Sequence, residues 1–236
     1  MHGASLPRPF GIACARPFLV ASFARPHRMA GWSVNRPGLV TADRVAWLEV
    51  ANEELVGIAD PSAWFGRRLE ENGLADAVGL MTARNVARHE HTQATVEGIR
   101  ADCLITLGLN NGEAVGSRAG AHRHHLDAGT INILCTVSAP LSDAALLEMA
   151  SLVTQARTVA LLDLGYRRPG IDHIVTGTGT DCIVTAAPVA EEKKNFAGQS
   201  FAGQSFAGMH TAVGEAVGRC VLEATAAAAA AWLAER

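Results

Sequence analysis

A strand, a capped helix and a second strand follow one another between residues 129 and 188, and this order constrains the fold more than any other feature. The first segment, "GTINILCTVSAPL", is rich in β-branched residues and predicts a strand. Ser142 then caps a long helix whose apolar side chains form one stripe, and Gly165 ends it. The second strand segment, "IDHIVTGTGTDCIVTAAP", is interrupted by alternating Thr and Gly. The pattern predicts layers of sheet and helix.

The clearest helix signal in the first half of the chain starts at Asp60. This residue can cap the helix, Pro61 suits its first turn, and Asn72-Gly73 marks its end. A last helix starts near Thr211 and continues through an alanine-rich tail. Further apolar segments predict strands at residues 17–23, 28–34, 44–52, 76–83 and 101–109.

These elements predict an α+β (layered α/β) fold, a single domain of mixed β-sheet packed with helices, over residues 16–236. Residues 1–15 are predicted to be a disordered leader, and the polar residues 116–128 a surface loop. No shift in composition marks a boundary between two domains.

Composition excludes several classes of protein. Hydrophobic residues make up 49% of the chain and charged residues 18%, which is enough for a buried core and argues against overall disorder. The net charge of −3 gives no sign of a nucleic-acid partner or of a membrane surface as partner. The five cysteines are odd in number and contain no C-x-x-C pair, which suits a reducing compartment, so we expect a cytoplasmic protein.

The stretch "VTGTGTDCIV" (175–184) is the most unusual in the chain. Its glycines expose backbone N–H groups beside the hydroxyls of Thr178 and Thr180, and such a loop, Gly179 included, can hold an anion or an oxyanion. The alternative is a bulge that glycine permits, with Asp181 capping a turn. The residues alone favour neither interpretation.

Two further positions combine a plain structural role with a chemical one. Thr130 stands where a polar loop enters an apolar strand, a place that suits either an ordinary β-branched residue or an activated hydroxyl nucleophile. Asn110 and Asn111 precede Gly112 as in a common turn, and a side-chain amide there could also donate to an oxyanion.

The histidines divide into three groups. His122, His124 and His125 lie in one loop with no carboxylate or cysteine at zinc-like spacing, and His89 and His91 flank Glu90 on a segment expected to be exposed. Both groups are therefore predicted to be surface residues rather than metal ligands. His210 differs, because a helix starts just after it. A helix N-terminus favours the neutral imidazole, so His210 is a candidate base.

Several of these phrases occur in the same order in one family. "GTINI", "APL" before a long helix, "TGTGTD", and "AGMHT" followed by "GEAVGR" resemble the adenosylcobinamide amidohydrolases, as do "SVNRPG", "ADRVAWLEV" and "LADAVGLMTAR" upstream. The resemblance covers about residues 17–225.

The resemblance implies hydrolysis of the amide that joins aminopropanol to the corrin ring of adenosylcobinamide, giving adenosylcobyric acid in the salvage of cobalamin (vitamin B12). The partner is then a small-molecule corrinoid that carries its own cobalt, and no protein cofactor or metal site is implied. Two alternative functions stay open: a corrinoid-binding protein without turnover, and an acyltransferase on the same scaffold. The sequence does not decide whether the protein forms a homo-oligomer.

"GTINILCTVSAPL" and "GTGTDCIVTAA" also resemble the self-processing aminopeptidase and ornithine acetyltransferase superfamily. That resemblance implies Thr130 as nucleophile, Asn110 or Asn111 as oxyanion donor, and cleavage of the Gly129–Thr130 bond. Thr178, Thr180 and Asp181 would orient and stabilise the site, with His210 as base if the bond stays intact. The substrate-binding set implied by the resemblance comprises Asn110, Asn111, Thr178, Gly179, Thr180, Thr211 and Glu215.

The phrase "FAGQS" occurs twice, at 196–200 and 201–205, before a third copy changes to "FAGMHT". A period of five residues fits neither a helix face nor strand alternation. Only the third copy matches the family phrase, so residues 196–205 are predicted to be a tandem insertion.

Overall fold

One mixed sheet and three α-helices organise residues 8–117, 129–170, 172–190 and 203–236, which the computed structural model describes. The strands are β1 Phe10–Ala15, β2 Phe18–Gly31, β3 Gly38–Glu49, β4 Val78–Thr82, β5 His89–Val96, β6 Ile99–Leu107, β7 Gly112–Glu113, β8 Ile131–Val137, β9 Gly177–Thr178 and β10 Cys182–Pro188. The helices are α1 Pro61–Glu71, α2 Asp143–Leu164 and α3 Ala212–Ala234, and two 3-10 turns lie at Asn52–Leu55 and Val86–Arg88.

The eight-stranded sheet has the order β4-β3-β2-β10-β8-β6-β5, with β1 paired to β2 outside this path. Its pairs β3–β4 and β8–β10 are parallel and the others antiparallel, while β7 and β9 form a separate two-stranded ribbon. A mixed sheet packed with helices is the predicted α+β class, which is confirmed.

All three helices begin where local chemistry predicts. The Asp60 carboxylate accepts a hydrogen bond from Ala63 N, the Ser142 hydroxyl from Ala145 N, and the Thr211 hydroxyl from Gly214 N. Each bond satisfies a backbone donor that has no partner inside its helix. At the other end of α2, Gly165 adopts the left-handed conformation with φ 67°, as the sequence predicts.

The two faces of the sheet bury separate apolar cores. Helices α2 and α3 cover one face and bury Ile131 and Ile183, and α1 packs over the β3–β4 edge. The opposite face, with Leu104 and Leu134, is concave. The sheet curls so far that β4 contacts β8, where the Asn132 amide donates to Met81 O at 2.6 Å.

By length and composition, α2 and α3 could each cross a membrane. Half of the most apolar 18-residue window in each helix is buried inside the fold. Both helices pack against the sheet and against each other, so their apolar character is explained by the core.

Three segments differ from their predictions. Residues 10–15 are not a disordered leader but strand β1, whose Phe10 is buried against Phe23 with ring centroids 5.3 Å apart. The two short strands predicted at 17–23 and 28–34 are one strand, because a shift in register between Ser22 and His27 accommodates Pro26. The segment around His89 and His91 is not an isolated exposed stretch but β5, paired along its length with β6. Residues 1–7 and most of the predicted 116–128 loop lie outside the described residues.

Replacing Gly214 with alanine should destabilise the fold by about 3 kcal/mol, because a β-carbon there overlaps backbone. That β-carbon would lie 2.1 Å from Gly208 O and 2.7 Å from Ala207 O. The chain before α3 must move, since a rigid carbonyl cannot yield as a side-chain end would. Urea unfolding measures the loss.

Gly218 is the matched control, one turn further along α3. A β-carbon there has no neighbour within 4 Å, so Gly218→Ala should stabilise the fold by about 0.5 to 1 kcal/mol through helix propensity. Equal effects of the two substitutions would contradict the close approach at Gly214.

Candidate active site

The starts of two neighbouring parallel strands place Thr130 beside Thr180. Thr130 directly precedes β8, Asp181 directly precedes β10, and Asn132 and Cys182 are partners in register. The Thr130 hydroxyl donates to Thr180 O at 2.8 Å, and Thr130 is only 6% exposed. The threonine is thus held at the edge of the sheet with its hydroxyl in a fixed direction.

Asp181 joins four groups around this edge. One carboxylate oxygen accepts from Ile131 N at 3.3 Å and from both the backbone N (3.0 Å) and the hydroxyl of Thr178. The other oxygen forms an ion pair with Arg157, which reaches the site from α2. Because Ile131 follows Thr130 directly, Asp181 fixes the backbone that carries the candidate nucleophile. Asp181 is therefore a positioning residue.

Burial raises the pKa of the Asp181 carboxyl above its ordinary value. The Arg157 guanidinium and the hydrogen bonds from Thr178 and Ile131 act in the opposite direction and offset part of this rise. The ionised form of Asp181 therefore depends on Arg157. Without the guanidinium, only hydrogen bonds would oppose the effect of burial on the pKa of that carboxyl.

The "TGTGTD" loop combines the two interpretations that the sequence leaves open. Asp181 does cap a turn, since it accepts from Thr178 N three residues earlier. The same turn brings Thr178 and Asp181 beside Thr130, while Gly179 and Thr180 are exposed. A structural turn and a polar site thus use the same residues.

The two asparagines have different surroundings. The Asn111 amide donates to Thr180 Oγ1 at 3.4 Å, and its buried Oδ1 has no hydrogen-bond partner among the described residues. Asn110 is exposed, and its carbonyl accepts from Arg168 at 3.3 Å. Asn111 is therefore the amide that faces the site loop.

The structure does not bring His210, Thr211 or Glu215 to Thr130. The C-terminal end of α3 is the end that lies near the site. Trp232 Nε1 lies 3.9 Å from where a β-carbon on Gly108 would stand, and Gly108 N donates to Thr130 O. His210 precedes the N-terminal end of this 23-residue helix, which at 1.5 Å per residue places it about 33 Å along the helix axis from Trp232. The prediction of His210 as base at Thr130 is wrong in this arrangement.

The residues around His210 have structural partners instead. Thr211 caps α3, and Glu215 forms an ion pair with Arg219 one turn later on an exposed face. The end of the predicted insertion lies in the same region, where Gln204 exchanges backbone hydrogen bonds with Pro140 and Ser142. Residues 196–202 lie outside the described residues.

Sequence reasoning missed two members of the site. Arg157 is a buried charge on the apolar stripe of α2, four residues after Val153, and a lone arginine in such a stripe is a usable signal. Trp32, half exposed, donates from Nε1 to Asp181 O at 2.6 Å. Nothing in the sequence around Trp32 predicts that contact, because it joins residues 149 positions apart.

Within the residues that the structure describes, no group of three or more His, Cys, Asp or Glu side chains could hold a metal ion. His122, His124 and His125 lie outside those residues. The thiol nearest the site is Cys182, and burial raises its pKa to about 12, which keeps it protonated and unreactive.

Gly177→Ala should destabilise the fold and Gly179→Ala should not, although both glycines lie in the same loop. A β-carbon on Gly177 would lie 2.2 Å from Arg157 Nη1 and 2.7 Å from Asp181 Oδ2, so it would separate the buried ion pair. A β-carbon on Gly179 has no neighbour within 4 Å. We expect a loss of about 2 kcal/mol for Gly177→Ala in urea unfolding.

A loss of the same size in both variants would show that the loop backbone, rather than the ion pair, limits substitution at these glycines.

The fold and the site define an α+β protein with a buried threonine hydroxyl at the start of a central strand, beside a carboxylate–guanidinium pair. The chain belongs to the adenosylcobinamide amidohydrolase (CbiZ) family, whose profile matches residues 5–236.

A curated relative from Methanosarcina mazei, named adenosylcobinamide amidohydrolase, is 30% identical over 127 residues. The match covers 53% of this chain and 54% of the relative, so it spans about half the length of each protein.

Two aminopeptidases are similar in structure. A Burkholderia β-aminopeptidase has a TM-score of 0.41 at 13% identity and covers 89% of this chain and 78% of its own. The L-aminopeptidase D-Ala-esterase/amidase of Ochrobactrum anthropi also has a TM-score of 0.41, at 12% identity, covering 91% and 77%. Scores below 0.5 do not establish a shared fold, so the site is interpreted from its own geometry.

Proposed function

We propose that this protein hydrolyses adenosylcobinamide at the amide that joins aminopropanol to a side chain of the corrin ring. The products are adenosylcobyric acid and free aminopropanol, and the reaction belongs to cobalamin salvage. The observation that carries the proposal is membership of the amidohydrolase family over residues 5–236. The cobalt travels with the corrinoid substrate, so the proposal needs no cofactor of the protein's own.

The proposed nucleophile is Thr130 Oγ1. Its oxygen attacks the amide carbonyl, the carbon–nitrogen bond breaks, and the amine leaves with the proton that the hydroxyl gave up. Water then hydrolyses the resulting ester, which releases the corrinoid acid and restores the hydroxyl. The fixed direction of Thr130, with its hydroxyl 2.8 Å from Thr180 O, supports this role.

A developing negative charge on the carbonyl oxygen needs donors nearby. The Asn111 amide, which faces the "TGTGTD" loop and donates to Thr180 Oγ1, is the proposed side-chain donor. Asn110 is the weaker candidate, because it is exposed. One well-placed donor contributes about 3 to 4 kcal/mol to transition-state stabilisation.

Because His210 lies far from Thr130, another group must accept the proton of the Thr130 hydroxyl. Thr130 Oγ1 donates to a backbone carbonyl, which accepts a hydrogen bond but carries no proton away. Two routes fit: cleavage of the Gly129–Thr130 bond, which would give Thr130 a free α-amino group as its base, or an activated water without a threonine nucleophile.

Incubation of the full chain with adenosylcobinamide, followed by detection of aminopropanol, tests the function. Tight corrinoid binding without amine release would favour a binding protein, and transfer of the acyl group to an added amine would favour an acyltransferase. Intact-mass measurement of the active protein separates the routes, since cleavage yields two fragments, residues 1–129 and 130–236.

We also propose that the protein acts in the cytoplasm, with the corrinoid as its partner and with no nucleic-acid or membrane partner. The sedimentation behaviour of the pure protein would decide whether it forms a homo-oligomer.

A further inference from the structure

Two buried polar atoms close to Thr130 have no hydrogen-bond partner in the described part of the chain. They are the side-chain oxygens Asn132 Oδ1 and Thr106 Oγ1, and the two residues are 1% and 0% exposed. Buried polar atoms are nearly always hydrogen-bonded, so an unpaired amide oxygen beside an unpaired hydroxyl, which can donate or accept, indicates a missing hydrogen-bonding group.

The strands place both oxygens beside the candidate nucleophile. Asn132 follows Thr130 by two positions, and Gly108 N donates to Thr130 O at 3.0 Å, so the β6–β8 ladder continues through Thr130. Side chains two positions apart on a strand share a face at about 6.6 Å spacing. Thr106 is the register partner of Asn132, which puts their β-carbons about 5 Å apart.

The hydrogen bond to Met81 fixes which atom of the Asn132 amide is free. Asn132 Nδ2 donates to Met81 O at 2.6 Å, and a carbonyl oxygen can only accept, so the nitrogen must face Met81. The unpaired atom is therefore the oxygen, an acceptor. It needs an N–H or O–H donor.

We propose that Asn132 Oδ1 accepts a hydrogen bond from the N–H of the scissile amide and so positions that amide against Thr130. Thr106 Oγ1 is the second acceptor, which matches the additional N–H groups of the amine that leaves. This inference rests on the proposed function and deepens it. The site then selects secondary amides, because an ester of the same shape offers no N–H to Asn132.

The test compares two substrates in each variant: the corrinoid amide and the analogous ester with oxygen in place of the amide nitrogen. In Asn132→Ala we expect kcat/KM for the amide to fall about 10- to 100-fold. The ester rate should fall about threefold or less, since its complex has no such bond to lose. The ratio of the two rates is independent of the folded fraction of the preparation.

Thr136→Val is the matched control. Thr136 Oγ1 is also buried on β8 and without a hydrogen-bond partner among the residues that the structure describes, but it lies four residues beyond Asn132. It should change both rates equally. If Asn132→Ala does not fold, Thr106→Val gives the same readout, with an expected loss for the amide of about threefold to tenfold relative to the ester.

Equal losses for amide and ester in the Asn132 and Thr106 variants overturn the inference and leave the proposed function intact. Failure of the unaltered protein to release amine from the amide overturns both.

Discussion

Thr130→Ala is expected to lower amide hydrolysis by about 10³-fold or more, because the variant has no hydroxyl to attack the carbonyl. The fold should persist, because loss of the hydrogen bond from the Thr130 hydroxyl to Thr180 O costs about 1 kcal/mol. Amine release at saturating corrinoid measures the rate, and urea unfolding measures the stability.

Thr130→Ser is the control, because serine keeps the hydroxyl and loses only a methyl group. It should retain most of the activity, while corrinoid binding should persist in both variants. A Thr130→Ala protein with full activity would exclude the threonine nucleophile and favour an activated water. An inactive Thr130→Ser protein that still folds would show that the β-branched shape, which fixes the rotamer, is also required.

The helix boundaries could be predicted because their causes are local. A hydroxyl or carboxylate three residues before a free backbone N–H, as at Ser142, and a glycine that takes a positive φ, as at Gly165, are properties of a few adjacent residues. Strand β5 could not be predicted in this way. Its polar sequence "HEHTQATV" gains regular structure only from the neighbouring β6, which is a tertiary effect.

The same distinction between local and tertiary causes applies to the residues of the site. Thr130, Thr180 and Asp181 meet because parallel neighbours β8 and β10 start at one edge, which follows from the order of strands. His210 stands next to a helix start, and its motif gave no information about which end of α3 approaches Thr130. Arg157 and Asn132 could have been noted as polar residues in apolar segments, but their partners depend on tertiary packing. The contact of Arg157 with Asp181 depends on how α2 lies against β10, and that of Asn132 with Met81 on how far the sheet curls.

Arg157→Met should destabilise the protein by about 3 to 5 kcal/mol at neutral pH, because it leaves the Asp181 carboxylate buried without its partner. Methionine is similar in length and apolar, so the loss reflects the charge rather than a cavity. The comparison is Arg28→Met, which breaks a surface pair with Asp143 at 2.8 Å and should cost about 0 to 1 kcal/mol. Urea unfolding of both variants gives the two values.

The pH dependence of this loss has a defined sign. Burial already raises the pKa of Asp181, and removal of Arg157 removes the largest influence that lowers it, so the pKa in the folded variant rises further. A carboxyl with a higher pKa in the folded than in the unfolded state binds its proton more tightly when folded, and the fold loses stability as the pH rises through that interval. The deficit of Arg157→Met should therefore shrink as the pH falls from about 7 to about 5. A deficit that does not change between about pH 7 and about pH 5 would mean that Asp181 stays ionised without Arg157, stabilised by the donors from Thr178 and Ile131 alone.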